Sequence, residues 1–338
     1  MDGLLLVDKP AGPTSHDVVA RMRRVLREPR IGHTGTLDPA ATGLLALVLG
    51  RATRLAQFLS ASDKTYEAVV RLGFATDTCD AAGQPIGEPH RGSIPSRDAI
   101  EHALDAFRGT FLQQPPAFSA KKIDGKRSHK LARARARAAS DARLKPSRSG
   151  SVLLDRPDPP DPPALPALPA LPALPALASV TVQRLAIVSV EADCVTLSVN
   201  CSAGFYVRSL AHDLGARLGT GAHLAALRRT RIGEFTLDES IALYAAEHDP
   251  EQAAGRILPL SRLLTAWSPV VLTPEGVRRA VHGRDLGPGD AVKGFGIWDS
   301  GFVGELGYVR LLDPSGDLIG IARPARTAGL LHPSVVLV

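Results

Sequence analysis

The sequence predicts an α+β protein: a larger domain of strands and flanking helices, followed by a small β-rich domain. Three observations carry this. Short apolar runs at Gly3–Val7, Leu44–Leu49, Thr65–Leu72, Val180–Val190 and Cys194–Asn200 read as strands. Segments with apolar residues at three- and four-residue spacing lie between them and read as amphipathic helices. Beyond Trp267–Pro269 the composition shifts to short strands with Gly-rich turns, so Val270–Val338 is predicted to form a domain of its own. A chain of 338 residues suits this division, and with only 4% aromatic residues its core should be aliphatic.

In chain order, Gly3–Val7 runs into Asp8-Lys9-Pro10, a buried strand ending in a turn. Thr14-Ser15 offers a helix N-cap, after which Val18, Met22, Val25 and Leu26 recur at helical spacing with arginines between them. A loop from Gly32 to Gly43 interrupts the pattern before the strand Leu44–Leu49. Ala52–Leu59 and Ser96–Arg108 read as helices on either side of the strand Thr65–Leu72. After two more strands, Tyr206–Leu218 has helical spacing through Val207, Leu210, Leu214 and Leu218.

The stretch from Lys121 to Arg148 is strongly basic, and Lys126, Lys130, Arg133 and Arg137 fall at i, i+4, i+7 and i+11, one face of a helix. Such a face is either solvated or set against RNA. Asp155–Leu177 ends in PALPALPALPALPAL, where proline at every third position forbids helix and sheet interior and suits polyproline II. Ala138–Ala178 is therefore expected to be an inserted low-complexity segment, with the core resuming at Ser179.

The net charge of +6 favours a polyanionic partner without demanding one. Cys79, Cys194 and Cys201 form no C-x-x-C pair; an odd, sparse set is neither a disulfide framework nor a zinc site. The N-terminus lacks the basic region of a signal peptide, and no stretch is apolar enough to span a membrane. A cytoplasmic location is expected.

Asp38 lies between Leu37 and Pro39, in a loop bracketed by Gly32, Gly35 and Gly43. Proline confines the preceding residue to extended conformations, so Asp38 is held in a defined geometry, and the two glycines upstream permit close approach to another segment. Taken alone, such a sequence is most often a turn. The whole string GHTGTLDPAATG (Gly32–Gly43), however, closely resembles the catalytic loop of TruB-type tRNA pseudouridine synthases. Further segments resemble that family in the same order: LLLVDKPAGPTSHDVV at the start, KTYEA (Lys64–Ala68), PPAFSAKKIDGKRSHKLAR (Pro115–Arg133), GFYVRSLAHDLG (Gly204–Gly215) and LRRTRIGEF (Leu227–Phe235).

The resemblance implies a pseudouridine-synthase domain with a mixed or antiparallel sheet, over 1–137 and 179–266, interrupted by the insert 138–178. A PUA-like RNA-binding domain over 270–338 is implied more loosely. Its implied activity is isomerisation of uridine to pseudouridine in the T-arm loop of tRNA, position 55. No electrons and no group enter or leave in that reaction, so no cofactor and no metal are expected. Breaking the glycosidic bond builds positive charge at the ribose C1′, which a carboxylate beneath it can stabilise or attack. By resemblance Asp38 is that carboxylate, Arg208 keeps it charged and aimed, and Tyr66 stacks on the uracil and helps remove the C5 proton. The target base must leave its stack; His33 is implied to fill the vacated space and Tyr206 to wall the pocket. Lys9, Lys64, Lys126, Lys130 and Arg133 are expected at phosphates.

Two positions depart from the family pattern: Phe205 stands where a small hydroxyl residue is common and His129 where tyrosine is usual. Two other readings stay open at this point, a non-catalytic tRNA-binding or folding protein and a guide-RNA-dependent synthase. The expected partner is tRNA alone, met by a monomer without an obligatory protein partner or a membrane.

Overall fold

A computed structural model describes residues 1–117, 122–123, 126–127, 175–292 and 307–338. The first elements are β1 (Gly3–Lys9), α1 (Ser15–Val25), β2 (Ile31–His33), β3 (Thr42–Leu49), α2 (Ala56–Ser60) and β4 (Lys64–Leu72). Next come β5 (Ala75–Thr76), β6 (Pro85–Ile86), α3 (Arg97–Leu104), β7 (Gly109–Gln113), β8 (Lys122–Ile123) and β9 (Lys126–Arg127). After the insert follow β10 (Ala178–Glu191), β11 (Cys194–Cys201), α4 (Val207–Leu218), β12 (Ala222–Ile232), β13 (Phe235–Thr236) and β14 (Ile241–Ala242). The remainder is α5 (Leu243–His248), α6 (Pro250–Gly255), β15 (Pro269–Val271), α7 (Pro274–Val281), β16 (Val309–Leu312), β17 (Leu318–Pro324) and β18 (Leu331–Val336).

The main sheet has the order β14-β1-β3-β12-β4-β11-β10-β7, with β2 on β3 and β13 on β12. It is mixed: β1 and β3 are antiparallel, whereas β1/β14 and β3/β12 are parallel. A second sheet, β15-β16-β17-β18, forms the small C-terminal β-rich part. The chain divides into two compact units. The first holds Met1–Ala68, Ser198–Ala203 and Ala226–Val338; the second holds Val69–Leu197 and Gly204–Ala225. Strands β4, β11 and β12 contribute residues to both.

In the first unit, the apolar runs of β1 and β3 are continuous because both faces of these strands are covered. Leu5, Val7, Leu45 and Leu47 pack on one face with Val18, Val19 and Met22 of α1. Leu4, Leu6, Leu44 and Ala46 pack on the other with Leu55, Leu59, Leu318 and Ile321. Each of the Leu, Ile, Val and Met side chains among them contributes about 1.5–3 kcal/mol by leaving water, which makes this pair of strands the rigid frame of the unit. Helix α1 starts where the sequence predicts, with Thr14 and Asp17 forming a reciprocal capping box. The small sheet has an additional core around Val270, Leu272, Leu311 and Ile319.

In the second unit α3 and α4 pack together, and β10 pairs antiparallel with β7, Val180 opposite Phe111. Gly215 brings α4 against the start of β12; a Cβ there would sit 2.2 Å from the Ala222 nitrogen.

Several local expectations are corrected. The helix expected over Ala52–Leu59 is a 3₁₀ segment, Gly50–Leu55, followed by the short α2. The Thr53 hydroxyl donates to the Gly50 carbonyl at 2.6 Å, competing with regular helical bonding. The helix expected over Ser96–Arg108 ends at Leu104 and continues as 3₁₀ to Phe107, although Ser96 does cap it. Lys126 is not helical: it lies in β9, with Ile123 opposite it in β8. The residues between them in sequence are Asp-Gly, the dipeptide most suited to a two-residue hairpin. Lys130, Arg133, Arg137 and most of the Pro/Ala/Leu-rich insert lie outside the described residues. β10 begins at Ala178, two residues before the expected strand Val180–Val190.

Candidate active site

Asp38 stands on the connection from β2 to β3, and the two strands bracket it firmly: His33 pairs with Leu47, and Thr34 N–H donates to the Ala46 carbonyl at 3.1 Å. On either side of Asp38 the chain is sunk into the core. Leu37 and Ala41 are each only 3% exposed and belong to the α1-facing cluster. The Ser15 hydroxyl, at the start of α1, accepts from Leu37 N–H at 2.8 Å and also lies 3.1 Å from the Leu37 carbonyl as donor. Gly12 N–H donates to the Pro39 carbonyl at 2.8 Å, and Ala41 N–H closes back on the Asp38 carbonyl at 3.1 Å. Asp38 itself stays half-buried between these anchors. A carboxylate so presented is preorganised before any substrate arrives.

Lys9, expected at a phosphate, is instead fully buried. Its ammonium donates to the carbonyls of Pro10 at 2.8 Å, Pro13 at 2.9 Å and Pro39 at 3.2 Å. All three of its donors are thereby used inside the protein, so Lys9 staples the end of β1 to the Asp38 loop. Burial pushes it down to about 8, against an opposing pull from Asp38 nearby. Lys64 is likewise buried, donating to the carbonyls of Ser60 and Ser62, each at 2.5 Å, and burial brings it down to about 8. Both lysines act structurally here, each ammonium being engaged by backbone carbonyls.

Tyr66, on β4, is half-buried and packs against the same cluster as Leu37. Burial raises its phenol, while the neighbouring Arg229 guanidinium acts in the opposite direction. His33 meets His16 edge-on, the ring centroids 5.2 Å apart at 85°. Its Nδ1 and the Thr34 hydroxyl are buried without a hydrogen-bond partner. Desolvation first, then the charges of His16 and Arg229, brings His33 down to about 4, so the ring is neutral at pH 7. A neutral imidazole carrying an unused ring nitrogen suits stacking and hydrogen bonding with a nucleobase.

Arg229 is the residue of this region that sequence reasoning missed. It lies on β12, 1% exposed, and donates from Nε to the Leu44 carbonyl at 2.7 Å and from its terminal nitrogen to the Gly35 carbonyl at 3.0 Å. The close approach of chains expected at Gly32 and Gly35 falls at Gly43: there φ is +99°, and a Cβ would meet the Arg229 carbonyl oxygen at 2.3 Å. Among the sequence signals, only the arginine-rich run LRRTR touched Arg229, and nothing in it marks which arginine turns inward.

Arg208 and Tyr206 belong to the second unit. Arg208 is buried on the first turn of α4, 3.6 Å from the Asp80 carboxylate and 3.5 Å from the Thr78 carbonyl. Asp80 is held in turn by the Thr78 hydroxyl at 2.6 Å and Ala82 N–H at 3.1 Å. Tyr206 caps α4 and exchanges two backbone bonds with the Gln113 amide, at 2.8 and 3.0 Å. Phe205 is buried, edge-on to Phe111 at 6.4 Å. No group of three or more His, Cys, Asp or Glu suited to a metal occurs among the described residues, and no helix among them is long and apolar enough to cross a membrane.

Two family models match the chain: the N-terminal domain of TruB family pseudouridylate synthase over residues 23–146, and the tRNA pseudouridylate synthase B C-terminal domain over 208–265. The tRNA pseudouridine synthase B of Solibacter usitatus is 38% identical over 339 aligned residues, covering 100% of both chains. The chain belongs to the TruB family. Other TruB relatives of the same description occur in Thermobifida fusca, 37% identical over 99% of this chain and 98% of the relative, and in Pseudomonas aeruginosa, 36% identical over 95% and 91%. The TruB chain also shares its fold with the crystal structure of a Cbf5-Nop10-Gar1 complex, with a TM-score of 0.64, 24% identity, and coverage of 99% of this chain and 85% of that one.

Proposed function

We propose that this TruB-family enzyme isomerises the T-arm uridine of tRNA, position 55, to pseudouridine, with Asp38, Tyr66 and Arg208 as its catalytic residues. In this reaction the C1′–N1 bond breaks, the uracil turns, a C1′–C5 bond forms, and the proton lost from C5 is balanced by one gained at N1. Asp38 supplies the negative charge at C1′ while the glycosidic bond is open. Tyr66 lies against the base and assists loss of the C5 proton, and Arg208 keeps the carboxylate charged and aimed. His33 and Tyr206 support the flipped-out base, the histidine occupying the space it leaves. Lys126, Lys130 and Arg133 are the basic residues assigned to phosphates. The enzyme is proposed to work on tRNA as a cytoplasmic monomer, without a cofactor or an obligatory partner, with residues 270–338 as an additional RNA-binding domain beside a catalytic domain of 1–137 and 179–266.

The observation that carries this reading is the anchoring of Asp38. Buried residues on both sides, a serine clamp and a buried lysine hold one carboxylate at the surface of the TruB core. An unmodified tRNA transcript incubated with the protein and then mapped for pseudouridine tests it. Modification should appear at the single T-loop uridine and vanish with Asp38→Asn, while that variant's tRNA affinity stays within about tenfold because phosphate contacts dominate binding. An active Asp38→Asn protein removes Asp38 from the reaction; binding without modification by the wild type favours a tRNA-folding role or a missing guide RNA.

A further inference from the structure

Ser15 and His16 are consecutive residues at the start of α1, and both meet the segment that carries Asp38. Ser15 closes on Leu37, one residue before the carboxylate. His16 meets His33, where that segment begins, with ring centroids 5.2 Å apart and planes at 85°. The capping box of Thr14 and Asp17 fixes the backbone on either side of both residues. His16 therefore enters the contact from a rigid main chain, although it is itself exposed. The core face of α1 is made by Val18, Val19 and Met22, to which an exposed imidazole adds nothing. The ring that His16 touches is that of His33.

No hydrogen bond from its Nδ1 sets the turn of the His33 ring, since that nitrogen is buried without a partner. A second ring held at a right angle does set it, because rotation of either ring drives its edge into the other. We propose that His16 is a positioning residue for the isomerisation: its ring fixes the plane of His33, and so the surface presented where the target base leaves its stack. The inference rests on the reading of His33 as the residue that occupies the vacated space. A base turned out of its stack stays out only while the gap behind it is filled. A His33 ring free to rotate fills that gap part of the time, and the flipped-out state is then less populated. An edge-on ring pair contributes enough to change such a population by about three- to tenfold. Another ring at position 16 braces His33 equally, whereas a polar side chain without a ring does not.

The test is single-turnover pseudouridine formation at saturating tRNA, with 2-aminopurine beside the target uridine to report flipping. His16→Ala should lower the rate and the flipping signal together by about three- to tenfold, and leave Tm in place because position 16 is exposed. His16→Phe should restore both to within about twofold of wild type. His16→Gln, which keeps a donor and an acceptor but no ring, should behave as His16→Ala does. In a His33→Ala background His16→Ala should have no further effect, because the contact it removes is already gone. Rescue by glutamine and not by phenylalanine would assign His16 a direct hydrogen bond to RNA and overturn the proposal. Effects of the two alanine substitutions that multiply, or a His16→Ala rate within about twofold of wild type, would overturn it as well. Inactive wild-type protein would count against the catalytic reading instead. Histidine-ring NMR spectra would still decide the contact in that case: with the His33 signal assigned by His33→Gln, a signal that His16→Ala leaves unmoved shows that His16 does not brace it.

Discussion

Replacing Lys9 by methionine separates two roles for a lysine beside the Asp38 loop. Methionine matches the length of the apolar stem and needs no desolvation, so the change removes the ammonium and little else. Three carbonyls, of Pro10, Pro13 and Pro39, lose their donor together. Hydrogen bonds to a charged group contribute about 1.5–3 kcal/mol each. Burial of the ammonium, which brings Lys9 down to about 8, opposes this sum, and water can reach the exposed Pro10 and Pro39 once the loop loosens. A net loss of about 2–4 kcal/mol follows, or about 3–6 °C in Tm for a chain of this size. Because Pro39 adjoins Asp38, the rate of the chemical step should fall as well. The assay is a thermal melt beside tRNA affinity measured across a salt series. If Lys9 is the staple described, Tm falls and the slope of log affinity against log salt is unchanged. A slope reduced by about one unit, the signature of a lost phosphate contact, together with an unchanged Tm would refute the structural assignment.

Gly43→Ala should destabilise the protein by about 3 kcal/mol or more, since it combines a positive φ with a 2.3 Å approach to the Arg229 carbonyl; urea unfolding measures it. His33 titrates near 4 when folded and near its ordinary 6.5 when unfolded. Between those values the unfolded chain binds more protons, so the contribution of His33 to stability is full above about 6.5 and is lost as pH falls towards 4. His33→Gln should therefore flatten the pH dependence of stability across that window, as followed by denaturant melts at a series of pH values. Phe205→Ser, which restores the small hydroxyl residue common in the family, should cost about 3–4 kcal/mol by emptying the space against Phe111, read as a lower urea midpoint with an unchanged m-value.

What was legible in the sequence was chiefly what periodicity and short-range chemistry control. β1, α1, β3, β4, β10, β11 and α4 lie where apolar spacing puts them, because a strand covered on both faces and an amphipathic helix each leave a distinct pattern. The Asp38 loop was readable from its own string. Lys9 and Lys64 were misread because a lysine next to a functional motif looks the same in sequence whether its ammonium meets solvent or backbone carbonyls; only the chain path around Pro39 or Ser60 distinguishes them. Arg229 was hidden for the same reason, since nothing in the sequence separates it from Arg228 and Arg231, its neighbours in the run, which are less buried. Lys126 followed the helical spacing of the basic stretch, and the Asp-Gly before it was the stronger local signal.

The burial of Leu37 and Ala41 ties the chemistry of this enzyme to its packing history. Leu37 and Ala41 share a core with Val18, Val19 and Met22 of α1, so a change of volume on that helix is transmitted to the carboxylate through one peptide unit on one side and three on the other. Across relatives, substitutions at these five positions should therefore compensate one another in size. A lineage that repacks α1 freely while holding Leu37 and Ala41 constant would have to shift Asp38. Fidelity in catalysis and conservation of an ordinary aliphatic cluster thus become a single selective constraint, visible as covariation far from any residue that meets RNA.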